Sequence, residues 1–159
     1  MDYEAVGSYS TDIFTREAVS IVRRHEKTSG PLFLYLPYQA VHAPLQAPRD
    51  EFESIKKSRN SVRDVYRAML SRLDKGVQRV VKELKRRELW NNTILIFSTD
   101  NGGAVSQAGS NHPLRGTKGT LFEGGTHGVG FVTGGAVPRS NIQEARLYIS
   151  STEMTEFLF

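Results

Sequence analysis

The segment LIFSTDNGG, from Leu95 to Gly103, places an acid and an amide directly after a run of apolar and hydroxyl-bearing residues. The Asp100 carboxylate and the Asn101 amide supply hard oxygen ligands, which suit calcium or magnesium better than zinc. The two glycines that follow allow the backbone to turn sharply and to approach an ion closely. Because Asp-Asn-Gly is also a common turn sequence, the residues alone leave two interpretations open, a metal site and a strand followed by a turn.

Two further segments carry residues suited to contacts with anions. His42 lies in YQAVHAPLQAP, a loop restricted by prolines, where an imidazole can donate a proton or contact an anion. The segment from His112 to Gly125 combines Arg115 and Lys118 with four glycines, so cations and backbone donors can surround an oxyanion. Its spacing is not that of a P-loop, which argues against a nucleotide site. The alternative interpretation of His42 is a structural histidine, and the alternative interpretation of the 112–125 segment is a mobile surface loop.

The triplet Asn91-Asn92-Thr93 is an N-glycosylation sequon at Asn91. It falls at a predicted corner between a helix and a strand, where an exposed loop is expected. Such triplets also arise by chance, so the sequon favours a secretory route only mildly.

Three helices are predicted within the first ninety residues. A first helix is predicted to start near Asp12, with Ser10 or Thr11 as its cap, and to end at the Gly-Pro pair at 30–31. A short second helix opens at Pro48. Apolar residues in steps of three and four predict a long third helix from Ser61 to about Leu89.

Three apolar segments predict strands, namely PLFLYLPY at 31–38, TILIFST at 93–99 and GVGFVTGG at 128–135. The tail after Pro138 is compatible with a strand followed by a helix. Alternating strands and helices predict an α/β fold, a mostly parallel sheet with helices on both faces. Ligands of such sheets bind beyond the carboxyl ends of the strands. This rule places His42 and Asp100-Asn101 along one rim.

Composition sets broad limits. The 159 residues are 38% apolar and 24% charged, which is typical of one soluble globular domain. No run approaches the roughly 20 apolar residues of a membrane span, and the N-terminus shows no signal peptide pattern. The absence of cysteine excludes disulfides, thiolate metal sites and cysteine nucleophiles.

The net charge of +4 is concentrated between Lys56 and Arg87, where twelve Lys and Arg residues face three acids. A solvated helix surface is the favoured interpretation of this basic segment. The alternative is a non-catalytic module that binds nucleic acid or sulfated glycans through the 56–87 helix.

The motifs GSYSTDIFT, LFLYLPYQAVHAPLQAP, ILIFSTDNGG and PLRGTKGTLFEGGTHGVGF, in this order, resemble the type I sulfatases. Within that family the sequence looks most like the arylsulfatase B group, the N-acetylgalactosamine-4-sulfatase branch. The resemblance covers residues 7–131, fades over 139–159, and implies an alkaline-phosphatase-like α/β fold. It also implies hydrolysis of aryl or glycan sulfate esters, and a lysosomal or secreted location. No nucleic acid partner is expected, and the oligomeric state stays open.

The resemblance assigns roles to four residues. Asp100 and Asn101 match two ligands of the family's calcium ion, so this chain would supply half of the ligands of one ion. Lys118 matches the lysine that grips a sulfate oxygen, and His42 matches the histidine that contacts the sulfate and the leaving group. Cations converging on a sulfate from several loops would stabilise its transition state.

Departures from the family pattern limit this interpretation. The family nucleophile is a formylglycine made within a C/S-x-P-S-R motif, and this sequence contains no such motif. The first pair of metal-binding aspartates is also absent, so we expect a partial catalytic domain that is inactive in isolation. His127 stands where the family has arginine. The alternative enzymatic hypothesis is a phosphoesterase of the alkaline-phosphatase-like superfamily. Those enzymes typically carry Asp-His where this chain has Asp100-Asn101, which argues against it.

Overall fold

The computed structural model describes residues 7–55 and 61–138. The chain separates into two compact units, Met1–Trp90 and Asn91–Phe159. We call them the helical unit and the loop unit, and each is described by itself. None of the helices in the described ranges is long and apolar enough to cross a membrane.

The helical unit contains three α-helices, α1 (Ser10–Arg24), α2 (Arg49–Ile55) and α3 (Val62–Arg86). The predicted short helix after Pro48 and the predicted long helix are both confirmed. Ala18 and Val22 of α1 pack with Val80 and Leu84 of α3 to form the core. The apolar residues recur every three to four positions, so each helix presents one apolar stripe to the other.

Helices α1 and α3 run parallel to each other. Asp12 pairs with Arg72 near the start of α1, and Arg23 pairs with Glu83 near its end. Residue numbers therefore increase together along both helices. The second half of α3 lies beside α1, while α2 packs on α3 as well.

The ends of α1 differ from those predicted. Tyr9 is the N-cap residue and makes no capping hydrogen bond with its side chain, while Thr11 is buried inside the helix. The helix ends at Arg24, six residues before Gly30, because His25 is extended (ψ 127°). A 3-10 turn at Lys27–Ser29 fills the interval. By contrast, α3 has a side-chain cap, since the Ser61 side chain accepts a hydrogen bond from the Arg63 N–H.

The strand predicted for residues 31–38 is not formed in this structure. That segment has no regular secondary structure, and Phe33 and Tyr35 are 81% and 66% exposed. A strand requires a hydrogen-bonding neighbour, and the only strands within the described ranges pair with each other. The strand prediction for 31–38 is therefore wrong for this structure, because an apolar pattern does not specify the partner with which a strand must pair.

The loop unit contains two strands, β1 (Leu95–Ser98) and β2 (Gly130–Thr133), and the short helix α4 (Glu123–Thr126). The strands are shorter than the predicted segments, and they pair antiparallel, with Phe97 opposite Phe131. The two rings stack with their centroids 5.2 Å apart. A mostly parallel sheet therefore stays a prediction, because the described residues form only this antiparallel pair.

The expected burial of both faces of β1 is not observed. Residues of β1 alternate between partly buried and exposed, and Ile96 is 69% exposed. A strand with a continuous apolar sequence needs cover on both faces to be fully buried. The predictions for the tail at 139–159, and the basic residues at 56–60, lie outside the described ranges.

Candidate functional site

Asp100 and Asn101 follow β1 after one intervening residue, Thr99, so they lie at the end of this strand as predicted. Pairing with the second strand continues to the residue before Asp100, because the Thr99 N–H donates to the Val129 carbonyl (2.9 Å). The Val129 N–H in turn donates to the Thr99 hydroxyl (2.8 Å). The backbone is thus held in place up to the position at which the acid and the amide emerge.

The side chains of this pair present oxygen atoms. Asp100 is exposed, so its carboxylate oxygens are accessible. The Asn101 Nδ2 donates a hydrogen bond to the Gly102 carbonyl (2.8 Å), so the nitrogen end of the amide is occupied. The oxygen Oδ1 is the atom of this side chain that remains available to a cation. One carboxylate and one amide oxygen fit a hard cation such as calcium. Within the described ranges, no group of three or more acidic, His or Cys side chains is arranged to hold a metal ion.

Lys118 lies beside the same turn. Its backbone N–H donates to the Gly103 carbonyl (3.2 Å), and the Thr117 hydroxyl donates to that same oxygen (3.1 Å). Gly103 is two residues after Asn101, so two of the sequence-predicted site segments meet here. The side chain of Lys118 is exposed and available to an anion.

Glycines make this close approach possible. A Cβ on Gly102 would lie 2.1 Å from the Gly124 carbonyl oxygen, and a Cβ on Gly125 would lie 2.2 Å from the Thr120 carbonyl oxygen. Both distances are far below van der Waals contact, so no other residue fits without moving the backbone. The Gly102 N–H donates to the Gly125 carbonyl (2.9 Å). The glycine-rich segment is therefore a packed structure at these positions rather than a mobile surface loop.

Two other residues singled out in the sequence have local partners in this unit. The Arg115 guanidinium lies 3.9 Å from the centroid of the Phe122 ring, a cation–π contact. His127 Nδ1 is 3.0 Å from a carboxylate oxygen of Glu123, one turn earlier on α4. Arg115 and His127 thus have structural contacts, whereas Lys118 presents an exposed ammonium group.

His42 belongs to the helical unit, and its position relative to Asp100 and Lys118 stays a prediction. It is exposed on the loop between residues 37 and 48, and its backbone N–H donates to the Gln39 carbonyl (2.9 Å). The ring Nδ1 is 2.7 Å from the Ala43 carbonyl oxygen. A carbonyl only accepts, so Nδ1 carries the proton and Nε2 is the atom that remains for an external group.

The His42 loop is attached to the helices at both of its ends. Before the loop, the Tyr38 hydroxyl bonds the Thr15 hydroxyl of α1 (2.7 Å). After the loop, the Glu51 carboxylate of α2 accepts from Lys75 (2.8 Å) and Ser71 (2.7 Å) of α3. Burial acts to raise the pKa of Glu51, but these hydrogen bonds and the nearby cations lower it below its usual value.

The remaining sequence features have simpler outcomes. Asn91 is exposed in the 3-10 turn Trp90–Asn92, as a glycosylated residue must be. Many cations of α3 are paired with carboxylates rather than available to a polyanion. Ion pairs with carboxylates are formed by Arg67, Arg72, Lys75 and Arg86. This neutralisation favours the solvated helix surface over a polyanion-binding face.

Sequence reasoning missed Asn111. Its side chain is half-buried and bonds the backbone of both Gly103 and Gly116. The sequence signal was an asparagine between two glycine-rich segments, in GSNHP. Its side chain can both donate and accept hydrogen bonds, so it can connect two segments of backbone.

Comparison with known proteins places these features in context. A family model described as Sulfatase matches residues 2–159, which include the C-terminal segment 139–159. Arylsulfatase J of Mus musculus is 50% identical over 131 residues, which are 82% of this chain and 22% of that protein. N-acetylgalactosamine-6-sulfatase of Sus scrofa is 34% identical over 119 residues, which are 72% of this chain and 22% of that protein.

A solved structure is similar in both sequence and fold. The crystal structure of Ps i-CgsB in complex with k-i-k-neocarrahexaose matches with a TM-score of 0.68 and 38% identity. The match covers 74% of this chain and 26% of that one. The chain thus spans about a fifth of the length of the curated relatives it matches, 22% in each of the two cases above.

Proposed function

The chain belongs to the sulfatase family, a family of sulfuric ester hydrolases, and on that premise we propose that its residues take part in the hydrolysis of sulfate esters. The observation that carries the proposal is the junction of Asp100-Asn101 with the Lys118 segment through the Gly103 carbonyl. At this junction, the carboxylate and amide oxygens of Asp100-Asn101 and the exposed ammonium group of Lys118 belong to neighbouring backbone segments. Such a combination suits the binding of a doubly charged metal and a sulfate together.

We propose that Asp100 and Asn101 hold one calcium ion through a carboxylate and an amide oxygen. When bound, calcium would neutralise sulfate oxygens as a Lewis acid. Lys118 would contact a sulfate oxygen as a point charge. With its ring protonated on both nitrogens, His42 would contact the sulfate through the Nε2–H group or donate that proton to the leaving group. Two ligands do not complete a calcium site, so the remaining ligands and the nucleophile come from outside these residues.

The substrate class follows from the family and from the named relatives. We propose an aryl sulfate or a sulfated glycan, in keeping with relatives named arylsulfatase J and N-acetylgalactosamine-6-sulfatase. A lysosomal or secreted location, with a glycan on Asn91, belongs to the same proposal. Sensitivity of the secreted chain to an N-glycosidase, and its loss in Asn91→Gln, would test the glycan.

Both units are proposed to belong to one partial catalytic domain. Exposed apolar side chains on each, such as Phe33 and Ile96, are what one part of a larger domain would present. Because the sequence has no cysteine and no C/S-x-P-S-R motif, the 159 residues are expected to be inactive alone. The assay is turnover of 4-nitrocatechol sulfate with calcium; a rate above that of Lys118→Ala would contradict inactivity.

A hybrid enzyme tests the site itself. In mouse arylsulfatase J, the 131-residue matching segment is replaced by that of this chain, and aryl sulfate hydrolysis is compared with the parent protein. Asp100→Ala and Lys118→Ala are each expected to lower kcat by about 10²- to 10³-fold, since the first removes a ligand of the calcium ion and the second removes the ammonium charge that faces the sulfate. Chelation of calcium should abolish turnover.

Matched controls come from α3. Asp74 and Lys82 are exposed there and lie outside the proposed site, so Asp74→Ala and Lys82→Ala should leave kcat nearly unchanged. Equal losses in the control and site variants would mean that the substitutions act through folding. An active hybrid that is indifferent to Asp100→Ala and Lys118→Ala would overturn the assigned roles.

A further inference from the structure

Asn111 makes three hydrogen bonds with a single side chain, and all three partners are backbone atoms. Its Oδ1 accepts from the Gly103 N–H (2.7 Å), and its Nδ2 donates to the Gly103 carbonyl (2.8 Å). The same Nδ2 donates to the Gly116 carbonyl (3.2 Å). Gly103 is two residues after Asn101, and Gly116 is two residues before Lys118.

The amide group is needed at this position. A carboxamide offers an acceptor and a two-proton donor, so it can satisfy both the N–H and the carbonyl of one residue while reaching a second carbonyl. The space is also filled, because a Cβ on Gly103 would lie 2.8 Å from the Asn111 Oδ1. Asn111 therefore replaces the backbone partner that a regular strand would have supplied to Gly103.

The Lys118 side of the junction depends on the same carbonyl. The Gly103 oxygen accepts from Asn111, from the Lys118 N–H and from the Thr117 hydroxyl. Thr117 also accepts from the Val105 N–H (3.0 Å). If the Gly103 carbonyl turns away, the contact to Lys118 is lost with it.

We propose that Asn111 is a positioning residue that fixes the Asp100-Asn101 turn against the Lys118 segment. The inference rests on the proposed function, since it matters to chemistry only if Asp100, Asn101 and Lys118 form the site. Asn111 itself acts through the backbone of Gly103 and Gly116. Its removal displaces the two halves of the site relative to each other.

The test measures amide hydrogen exchange by NMR in the full 159-residue chain. The Lys118 N–H is the reporter, because it bonds to Gly103 and not to Asn111. The Thr99 N–H, bonded to Val129, is the internal reference within the same unit. Asn111→Ala should raise the exchange of Lys118 relative to Thr99 by about tenfold, the scale of one lost hydrogen bond.

Two further variants separate positioning from general loosening. Asn111→Asp has the same size and keeps the acceptor for the Gly103 N–H, but it loses both bonds donated to carbonyls, so it should match Asn111→Ala at Lys118. Asn92→Ala removes an exposed asparagine of the 3-10 turn and should change neither reporter. If Asn111→Ala unfolds the unit, the Lys118-to-Thr99 exchange ratio in Asn111→Asp tests the proposal instead. A Lys118-to-Thr99 ratio within about twofold of the unsubstituted chain in Asn111→Asp would overturn the proposal.

The hybrid enzyme supplies the catalytic readout. Because misplacement of about 1 Å can cost about a hundredfold in rate, Asn111→Ala should lower kcat by about ten- to a hundredfold. The double variant Asn111→Ala/Lys118→Ala should be slowed by less than the product of the two single effects. A changed exchange ratio with a hybrid indifferent to Asp100→Ala and Lys118→Ala would retain the positioning link and reject the proposed function. An unchanged exchange ratio, together with a hybrid that loses activity in Asp100→Ala and Lys118→Ala, would retain the proposed function and reject the positioning role of Asn111.

Discussion

At the scale of single residues, the Glu51 carboxylate is the main polar link between α2 and α3. Its side chain is 2% exposed, and it accepts from Lys75 and Ser71 while Arg72 lies 3.6 Å away. A buried carboxylate stabilises only when its partners satisfy it, as they do here. Because α2 begins directly after the His42 loop, this group also fixes one end of that loop.

Replacement of Glu51 by glutamine is expected to lower the free energy of unfolding by about 1–3 kcal/mol. Glutamine keeps the shape but removes the charge that faces two cations. Lys75 is 54% exposed and can regain water, which keeps the loss below that of a fully buried pair. Urea unfolding followed by circular dichroism at neutral pH measures the change.

The control is Glu17→Gln on α1. Glu17 is 63% exposed and pairs with Arg24 on the surface, so its loss should cost no more than about 1 kcal/mol. If Glu51→Gln were as mild as Glu17→Gln, the carboxylate would not be a significant link between the helices.

At the scale of elements, α3 contains a glycine where a helix would ordinarily favour alanine. A Cβ on Gly76 would lie 2.6 Å from the Thr15 hydroxyl and 3.1 Å from the Tyr38 hydroxyl. Those two hydroxyls bond each other and hold the start of the His42 loop. The glycine therefore gives α1, α3 and the loop room to meet at one point.

Gly76→Ala should destabilise the chain, although glycine in a helix usually costs about 1 kcal/mol relative to alanine. Overpacking against Thr15 is expected to outweigh this gain in helix propensity and to lower the free energy of unfolding by about 1–3 kcal/mol. The loss should be smaller in a Thr15→Ala background, because the clashing oxygen is gone. Urea unfolding of the four proteins in this double-mutant cycle measures the coupling.

Stabilisation by Gly76→Ala in the native background would show that the clash relaxes without cost. Gln78→Ala, at an exposed position of the same helix, should stay within about 0.5 kcal/mol and reports the effect of alanine alone.

At the scale of the whole molecule, the predictable parts are those encoded by local pattern. The long helix was predictable from its apolar spacing, and the turn at Asp100-Asn101 from the apolar run before it. The segment 31–38 has an equally clear pattern but forms no strand, since strand pairing depends on distant partners. Asn111 could not be assigned because its partners are backbone atoms brought together only by folding.

The whole chain is expected to lose stability at both pH extremes. The hydrogen bond and charge of Arg86, with help from Arg23, lower the pKa of Glu83 to about 2 despite opposing burial. The pKa of Glu51 is also below its ordinary 4.5. Both carboxylates bind protons more readily when unfolded, so their stabilisation is complete above about 4.5 and is lost as the pH falls below it. For Tyr9 and Tyr38, burial raises the phenol pKa above 10.0, so stability falls as the pH rises past 10.

Unfolding midpoints in urea, measured across pH by circular dichroism, test this profile. The Glu51→Gln/Glu83→Gln double variant should be less stable near neutral pH but should lose less on acidification from 4.5 toward 2, because the two shifted carboxylates are gone. The matched control replaces two exposed glutamates, Glu17 and Glu88, and should keep the steep acid limb. If the double variant and the control lost stability in parallel on acidification, the buried carboxylates would not govern the acid limb, and repulsion among the excess cations would be the better explanation.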